Sequence, residues 1–556
     1  MKKLFKIIFI ILLCLLVIQL YLILSFHKEK NDNPLPPLYL KGAYHVHSLF
    51  SDGGGDIHEI TRAASQANLD FVILTDHGRP NFKSSNTTQY LNNILLIGAS
   101  EFSLYSGHMT AIGYKIPEYI YPPEPQEAIN EIMRDKGICF ISHPFDSKIP
   151  WSDWNIENFN GIEILNSYDS AKNASLLKTA LLPLRYLFSP VYALTSLFPY
   201  PQKEMKQWDL FLTKGHYFGI YALDAHAKLS LSKSYRVKIP SYLTMFKILT
   251  LYIKTDHTLR NNTHSDAAAI ISALRAGNFF SVIESLASAN GFENYYLQKD
   301  GQKIEMGGSS HQTGGSLVFI LPFPFATDII IIKDGTLYKK IIHNTQKQLS
   351  VQINEPGVYR SELFISQNHF SYLPWITANP FFIDIQKINK KEPDSKMTKK
   401  LFNAENYFHI EKNKQSTAQQ NYEQTEENKW QVNFNFHLKE ESQHDKNFWT
   451  ALARRENMDF SAYHGFIMEA KGIKRMRFSL QFRTSHNHIE TIYQHTFLLE
   501  QQWQKITIPF DNFYQISGTE QKSNLQNITS FFILINADTA FPESSGTINI
   551  KKFGLY

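Results

Sequence analysis

The stretch GAYHVHSLFSDGG (42–54) holds two histidines one residue apart, His45 and His47, and an aspartate, Asp52, five residues further on. Tyrosine and valine around the histidines suit a strand. Side chains at i and i+2 of a strand share a face, so His45 and His47 can grip one ion together. A lone His-x-His is equally a pair of satisfied strand histidines, and its neighbours along the chain have to decide.

Those neighbours repeat a theme. KGAYHVH (41–47), DFVILTDH (70–77), NNILLIGASEF (92–102), HMTAIGY (108–114), GICFISHP (137–144), GIEILNSY (161–168) and YFGIYALDAH (217–226) are short apolar runs. Helical patterns such as IHEITRAASQAN (57–68) and EPQEAINEIMRDKG (124–137) separate some of them. Continuous apolar strands between helices predict an α/β fold with a parallel sheet covered on both faces. Seven strands in this span predict a (β/α) barrel, distorted or incomplete. Asp76 and His77, Glu101, His143, and Asp224 with His226 fall at strand ends, and His108 opens the fourth run. In such a barrel these ends meet on one face, where active sites are built. Imidazole and carboxylate without cysteine suit zinc, manganese or iron. His45, His47, Asp52, His77, Glu101, His108, His143, Asp224 and His226 exceed what one ion can use, and predict two or three divalent ions.

The ends of the chain add context. MKKLFK (1–6) is basic, and residues 7–26 carry no charge. This length spans a bilayer, no small-residue cleavage pattern follows, and the lysines favour a cytoplasmic amino end. The expectation is a signal anchor over 1–26, single-pass, with the catalytic portion outside the cytoplasm, then a Pro-rich linker over 27–38. Only Cys14 and Cys139 exist, so no internal disulfide is expected outside the membrane run, and Cys139 reads as a buried apolar residue. A net charge of +5 without a long basic block does not argue for nucleic acid, and no dedicated nucleic-acid partner is expected. ALLPLRYLFSPVYALTSLFPYP (180–201) is apolar, but its prolines and Arg185 make it a poor spanning helix. It reads either as helices packed on the barrel or as a lid or lipid-touching surface. Beyond the barrel (39–288), strands with turn residues predict a small β-sandwich over 289–385. A basic linker follows over 386–400, and a second all-β domain over 401–556.

The barrel motifs resemble the PHP superfamily, named for its polymerase and histidinol phosphatase members. The residues are HVHSLFSDG (45–53), LTDH (74–77), the Glu of GASEF, the His of SGHMTAIGY, HP of ISHP and DAH of ALDAH. The resemblance implies a distorted seven-stranded barrel with a di- or trinuclear site. Carried over, the first ion takes His45, His47, Glu101 and Asp224. The second takes Glu101, His108 and His143, and the third Asp52, His77 and His226. Asp76 would support a ligand from behind rather than bind an ion. GVYRSELFIS and PWITANPFFI resemble the carbaryl-hydrolase type of membrane-associated or secreted PHP protein. DFSAYHGFIMEAKG, RFSLQFRT and WQKITIPFDNF resemble galactose-binding-like jelly rolls, for which a glycan is a candidate partner.

The activity expected is hydrolysis of a phosphate ester or other small-molecule substrate by metal-activated water, with His77, His226 or a metal-bound water handling protons, and Arg79 either binding phosphate or serving as a surface arginine. The alternatives are a carbamate, amide or ester hydrolase on the same ligands, or a surface glycan-binding protein with an idle barrel. Trp151 and Trp154 read as loop packing or as a stacking surface. His58, His216, His257, His264 and His311 fall off the pattern.

Overall fold

The computed structural model describes residues 2–117, 119–230, 236–322, 325–366, 368–385, 399–400, 408–424, 430–440, 448–486, 489–518 and 525–556. The basic linker expected over 386–400 lies almost wholly outside these. The chain forms two compact units. One comprises Met1–Ser103, Gly107–Lys115 and Ile132–Lys387; the other comprises Leu104–Ser106, Ile116–Glu131 and Ile388–Tyr556.

In the first unit each of the seven apolar runs contains a strand: β1 (Tyr39–Val46), β2 (Phe71–Leu74), β3 (Ile94–Leu104), β4 (Gly107–Ile112), β5 (Ile138–Ile141), β6 (Gly161–Asn166) and β7 (Phe218–Ala222). They are neighbours in that order. The pairs β1–β2, β2–β3, β5–β6 and β6–β7 are parallel. The segment after β7 returns to β1, where Ala225 N donates to His45 O and His47 N donates to Ala225 O, both at 3.0 Å. That bridge closes the strands into a ring. The runs are continuous because residues on both faces of these strands are buried, as in FVIL and GIEILN. The Ile57–Gln66 helix starts where the Asp56 carboxylate accepts from Glu59 N at 2.8 Å, and buries Ile60, Ala63 and Ala64.

The structure departs from expectation in three places. Strand β4 runs antiparallel to β5, not parallel. Only Tyr105 and Ser106 separate β3 from β4; a hairpin fits that length and a parallel crossover does not. Second, the ring is not where its sheet ends. Leu249–Lys254 pairs antiparallel with the first half of β1, Phe279–Ile283 pairs with it in turn, and Ile376–Ile383 pairs with Phe279–Ile283. The strand-rich stretch 289–385 therefore divides between this continued sheet and a separate four-stranded sheet that includes Glu293–Leu297 and Gly315–Ile320. Third, the apolar amino-terminal run is helical over Lys2–Ser25, yet among the described residues no helix is long and apolar enough to cross a membrane. The structure does not show the expected anchor.

The second unit contains two six-stranded sheets. Alternation in Met476–His486 sends Phe478, Leu480 and Phe482 into a core with Phe434, Phe466, Phe531 and Phe553. Its other face is also buried and polar. Arg477 donates to Ile120 O at 2.8 Å and pairs with Glu131 at 2.5 Å, and Gln494 donates to the Tyr105 hydroxyl at 2.9 Å. Burial pushes His495 down to about 4, with Arg477 adding to the shift. A depressed folded pKa stabilises above the ordinary value of 6.5 and is lost as pH falls toward 4. The melting temperature of the full chain should therefore fall more steeply between pH 6.5 and 4 than that of His495→Gln. Parallel curves for the two would remove His495 from this account.

Candidate metal centre

The ring gathers all nine expected ligand residues at one end. His45 and His47 stand at the end of β1, and Glu101 lies in β3. Because β4 is antiparallel, His108 at its start comes to the same end as its neighbours' final residues. His77, His143, Asp224 and His226 sit two to four residues past their strands rather than on them.

Three overlapping groups result, each with its ligand atoms within 4.8 Å of one another: His45, His47 and Asp224; His77, Glu101 and His108; and His47, Asp52, His77 and His226. Glu101 links them. Its Oε2 lies 3.4 Å from His45 Nε2, 3.4 Å from His47 Nε2 and 3.0 Å from His77 Nδ1. Its Oε1 lies 3.3 Å from His108 Nδ1 and 3.0 Å from His143 Nε2. These groups differ in detail from the partition implied by the family resemblance: His77 also joins the group of Glu101 and His108, and His47 that of Asp52 and His226.

The local backbone is unusual. His45, His143 and Asp224 adopt φ of 65°, 27° and 50°, a region that side chains other than glycine seldom occupy. The register of β1 shifts between Ala43 and Val46. The two histidines thus meet, Nε2 to Nε2 at 3.1 Å, through an irregular strand end rather than through plain alternation. The Asp52 loop needs Gly54, where a Cβ would lie 2.2 Å from Ala227 O. Gly54 N donates to His226 O at 2.7 Å, and the Lys228 ammonium donates to Asp52 O at 2.7 Å.

Electrostatics favour a cation here. Burial raises the cost of charge on Glu101, yet His45, His108 and His143 hold its carboxyl well below the usual range. Asp224 is likewise held low by His45 and His47 against its burial. Burial opposes charge on His143 and His226, but the Glu101, Asp52 and Asp224 carboxylates push both up to about 9. His47 is pushed down to about 4 by burial and by His226. The buried His47 Nδ1, Asp52 Oδ1, His77 Nδ1 and His108 Nδ1 make no hydrogen bond of good geometry, although His226 and Glu101 lie within 3.0–3.3 Å of the last three. Leaving such an atom unsatisfied costs about 1–3 kcal/mol each. Divalent ions bound among imidazole and carboxylate groups would satisfy these atoms, so the residues fit the metals expected of them.

Sequence reading missed Glu163. Its Oε1 lies 2.6 Å from His45 Nδ1, and its Oε2 accepts from His143 N at 2.8 Å and from the Asn166 amide at 2.9 Å. It fixes which nitrogen of His45 faces the cluster. The available signal was a lone charge in the apolar run GIEILN. The Asp76 carboxylate accepts from Ser48 N, the Ser48 hydroxyl and the Ser51 hydroxyl at 2.8, 2.7 and 2.6 Å, and so shapes the loop that carries Asp52. Arg79 is half-buried, two residues beyond His77. Trp151 is buried and Trp154 stacks on Phe145 at 5.5 Å, so both pack the loop. His58, His216, His257, His264 and His311 belong to none of the three groups.

A family model described as Complex I intermediate-associated protein 30 matches residues 416–550. No curated protein matches the chain. Among solved structures, the chain is similar to a two-domain protein from Bacteroides vulgatus containing a predicted PHP-like metal-dependent phosphoesterase, at 15% identity. That match covers 64% of this chain and 99% of that one, with a TM-score of 0.30. It is also similar to a family 11 carbohydrate-binding module of a cellulosomal cellulase from Clostridium thermocellum: 14% identity, 30% and 95% covered, TM-score 0.24. The same module in complex with a mixed-linked tetrasaccharide gives 14%, 29% and 96%, and 0.23. Likenesses this distant carry no argument about activity.

Two substitutions probe the supports of the centre. Glu163→Gln keeps the shape and removes the charge behind His45; metal affinity by calorimetry should fall about 10–100-fold while the circular dichroism is unchanged. Asp76→Ala should free the Asp52 loop and lower the number of tightly bound ions, read by elemental analysis, without emptying the site.

Proposed function

We propose that the chain is a metal-dependent hydrolase of phosphate esters, of the PHP type, with two or three divalent ions of zinc, manganese or iron. The observation that carries this reading is the junction at Glu101 of three ligand groups with buried, unsatisfied ligand atoms. When bound, such ions lower the pKa of a shared water and neutralise the oxygens of a phosphoester.

The chain's own residues set the direction of approach. His45, His47 and Glu101 are buried, whereas the Asp52 and His77 side chains are 45% and 32% exposed, so substrate arrives on their side. With only the first two ions bound, His77 and His226, whose Nε2 lies 3.2 Å from Asp52 Oδ1, would be free to pass a proton to the leaving group. Lys228 and Arg79 supply positive charge for phosphate oxygens. The half-exposed Tyr168 ring lies 5.0 Å from that of His226 and walls this side. A cavity of about 640 Å³ lies beside the centre, lined by Leu165, Asp169, Tyr200 and Asn166, whose amide also reaches Asp224 at 3.3 Å; none of the nine ligand residues lines it.

The same ligands suit a carbamate, amide or carboxyl ester, as in the carbaryl-hydrolase type, and no residue favours those bonds over phosphate. A glycan for the carboxy-terminal sandwich rests on resemblance alone; Trp503 there is approached by Lys471 and Lys551, 5.0 and 4.5 Å from its ring. A location outside the cytoplasm is proposed from the basic start and apolar run of the sequence.

The purified full chain should carry metal and hydrolyse p-nitrophenyl phosphate or bis-p-nitrophenyl phosphate in preference to p-nitrophenyl acetate or a naphthyl carbamate. Chelation should abolish turnover, and Mn²⁺ or Zn²⁺ should restore it. Absence of both bound metal and turnover would overturn the enzyme reading. Turnover that survives His45→Ala with His47→Ala would overturn the site, and preference for the acetate or carbamate would overturn the substrate class.

A further inference from the structure

One helix of the first unit has its polarity reversed, and a second, joined to it, exposes a broad apolar face. The helix Leu176–Phe188 contains no acidic residue, and its two cations are Lys178 and Arg185, seven positions apart and so on one face. Both turn toward the protein. The Lys178 ammonium donates to Leu197 O and Phe198 O, each at 3.3 Å. Arg185 donates to the Ser196 hydroxyl and to the Gln19 side chain, each at 2.9 Å. No residue of this helix is buried, and the side chains most open to solvent are apolar: Leu176 is 91% exposed and Leu187 77%.

The helix Lys2–Ser25 also presents apolar side chains outward, although Lys6 is exposed and Ile23 is buried. Gln19, the polar residue that meets Arg185, is 9% exposed, while Phe9, Val17, Tyr21 and Leu24 face outward. A helix on a water-washed surface places its apolar stripe inward and its charges outward. The Leu176–Phe188 helix does the reverse, the Lys2–Ser25 helix turns Gln19 and Ile23 inward and a broad apolar face outward, and the Arg185–Gln19 hydrogen bond joins them into one surface.

We propose that this surface rests in a phospholipid bilayer, with the Leu176–Phe188 helix entering lipid beside the amino-terminal helix. Contact with lipid does not require a span. A bilayer, rather than a second copy of the chain, is favoured by continuity with the uncharged run 7–26, and by Lys2, Lys3 and Lys6 at its start, which suit anionic headgroups. The consequence is a barrel held at the membrane by two elements instead of one tether.

The test uses the full chain in vesicles of phosphatidylcholine and phosphatidylglycerol. In a Cys14→Ser background, an environment-sensitive fluorophore is placed on Leu187→Cys or, for comparison, on Leu337→Cys, another exposed apolar position. Cys139 is buried with its thiol pushed up to about 12, and does not compete for label. Metal content equal to that of the parent chain confirms that each labelled variant is folded. The probe at 187 should lose most of its emission to brominated phospholipid and be spared by aqueous iodide, with the opposite result at 337. A probe at 187 that behaves like that at 337 would overturn the proposal. So would one shielded from both quenchers, which would assign the face to a protein contact.

Discussion

The Glu101 carboxylate is 1% exposed and lies within 3.4 Å of nitrogen atoms on five histidines. Burying a carboxylate costs several kcal/mol unless positive charge surrounds it. The end of the ring is arranged around that requirement. Protonated histidines meet it when no ion is bound, which is why His45 and His143 are held in their charged form despite burial. Divalent ions would meet it in the same space with the histidines neutral, so metal uptake would replace one set of positive charges by another without rebuilding the site.

Holding these groups together demands backbone that the chain would otherwise avoid. Three of the ligand residues, His45, His143 and Asp224, have positive φ, at a cost of about 1–3 kcal/mol each. Such conformations persist where neighbours over-determine them, and one network does so here. Glu163 holds the His45 ring and the His143 amide, and Asn166 joins Glu163 to Asp224. A pair of side chains three residues apart, at the end of β6, thus fixes every strained ligand. The ring closure through Ala225, bonded to both His45 and His47, secures the same residues from the backbone side.

Much of this was legible in the sequence, for reasons that also explain what was not. Strands buried on both faces write themselves as apolar runs, and ligand residues stand out against them; His45, Glu101 and Asp224 are visible in this way. The direction of β4 was legible only in the two-residue gap before it, which the apolar pattern outweighed. Glu163 looks like any isolated charge until its partners, more than a hundred residues away at His45, are brought to it. The continuation of the sheet was hidden because Phe279–Ile283 finds its partner Ile376–Ile383 almost a hundred residues later, and pairing at such distance leaves no local periodicity. The reversed polarity of Leu176–Phe188 was invisible too: Arg185 reads as a surface charge until Gln19 is seen beside it.

The continued sheet has a physical role that follows from the site. A ring whose end is filled by six histidines and by Asp52, Glu101, Asp224, Asp76 and Glu163 gives up apolar packing there, in the way functional sites commonly weaken a fold. Apolar burial has to be found elsewhere. Tyr252, on the strand next to β1, and Phe280, on the strand beyond it, stack at 5.0 Å, and Trp375, Ile376 and Phe381 extend the same buried layer. Strand β1 therefore belongs to both parts. Its first half, Tyr39–Gly42, pairs with Leu249–Lys254 in the apolar sheet, and its second half carries His45 and the closure to Ala225. The irregular register between Ala43 and Val46 marks where the strand passes from holding the fold to holding the candidate ligands.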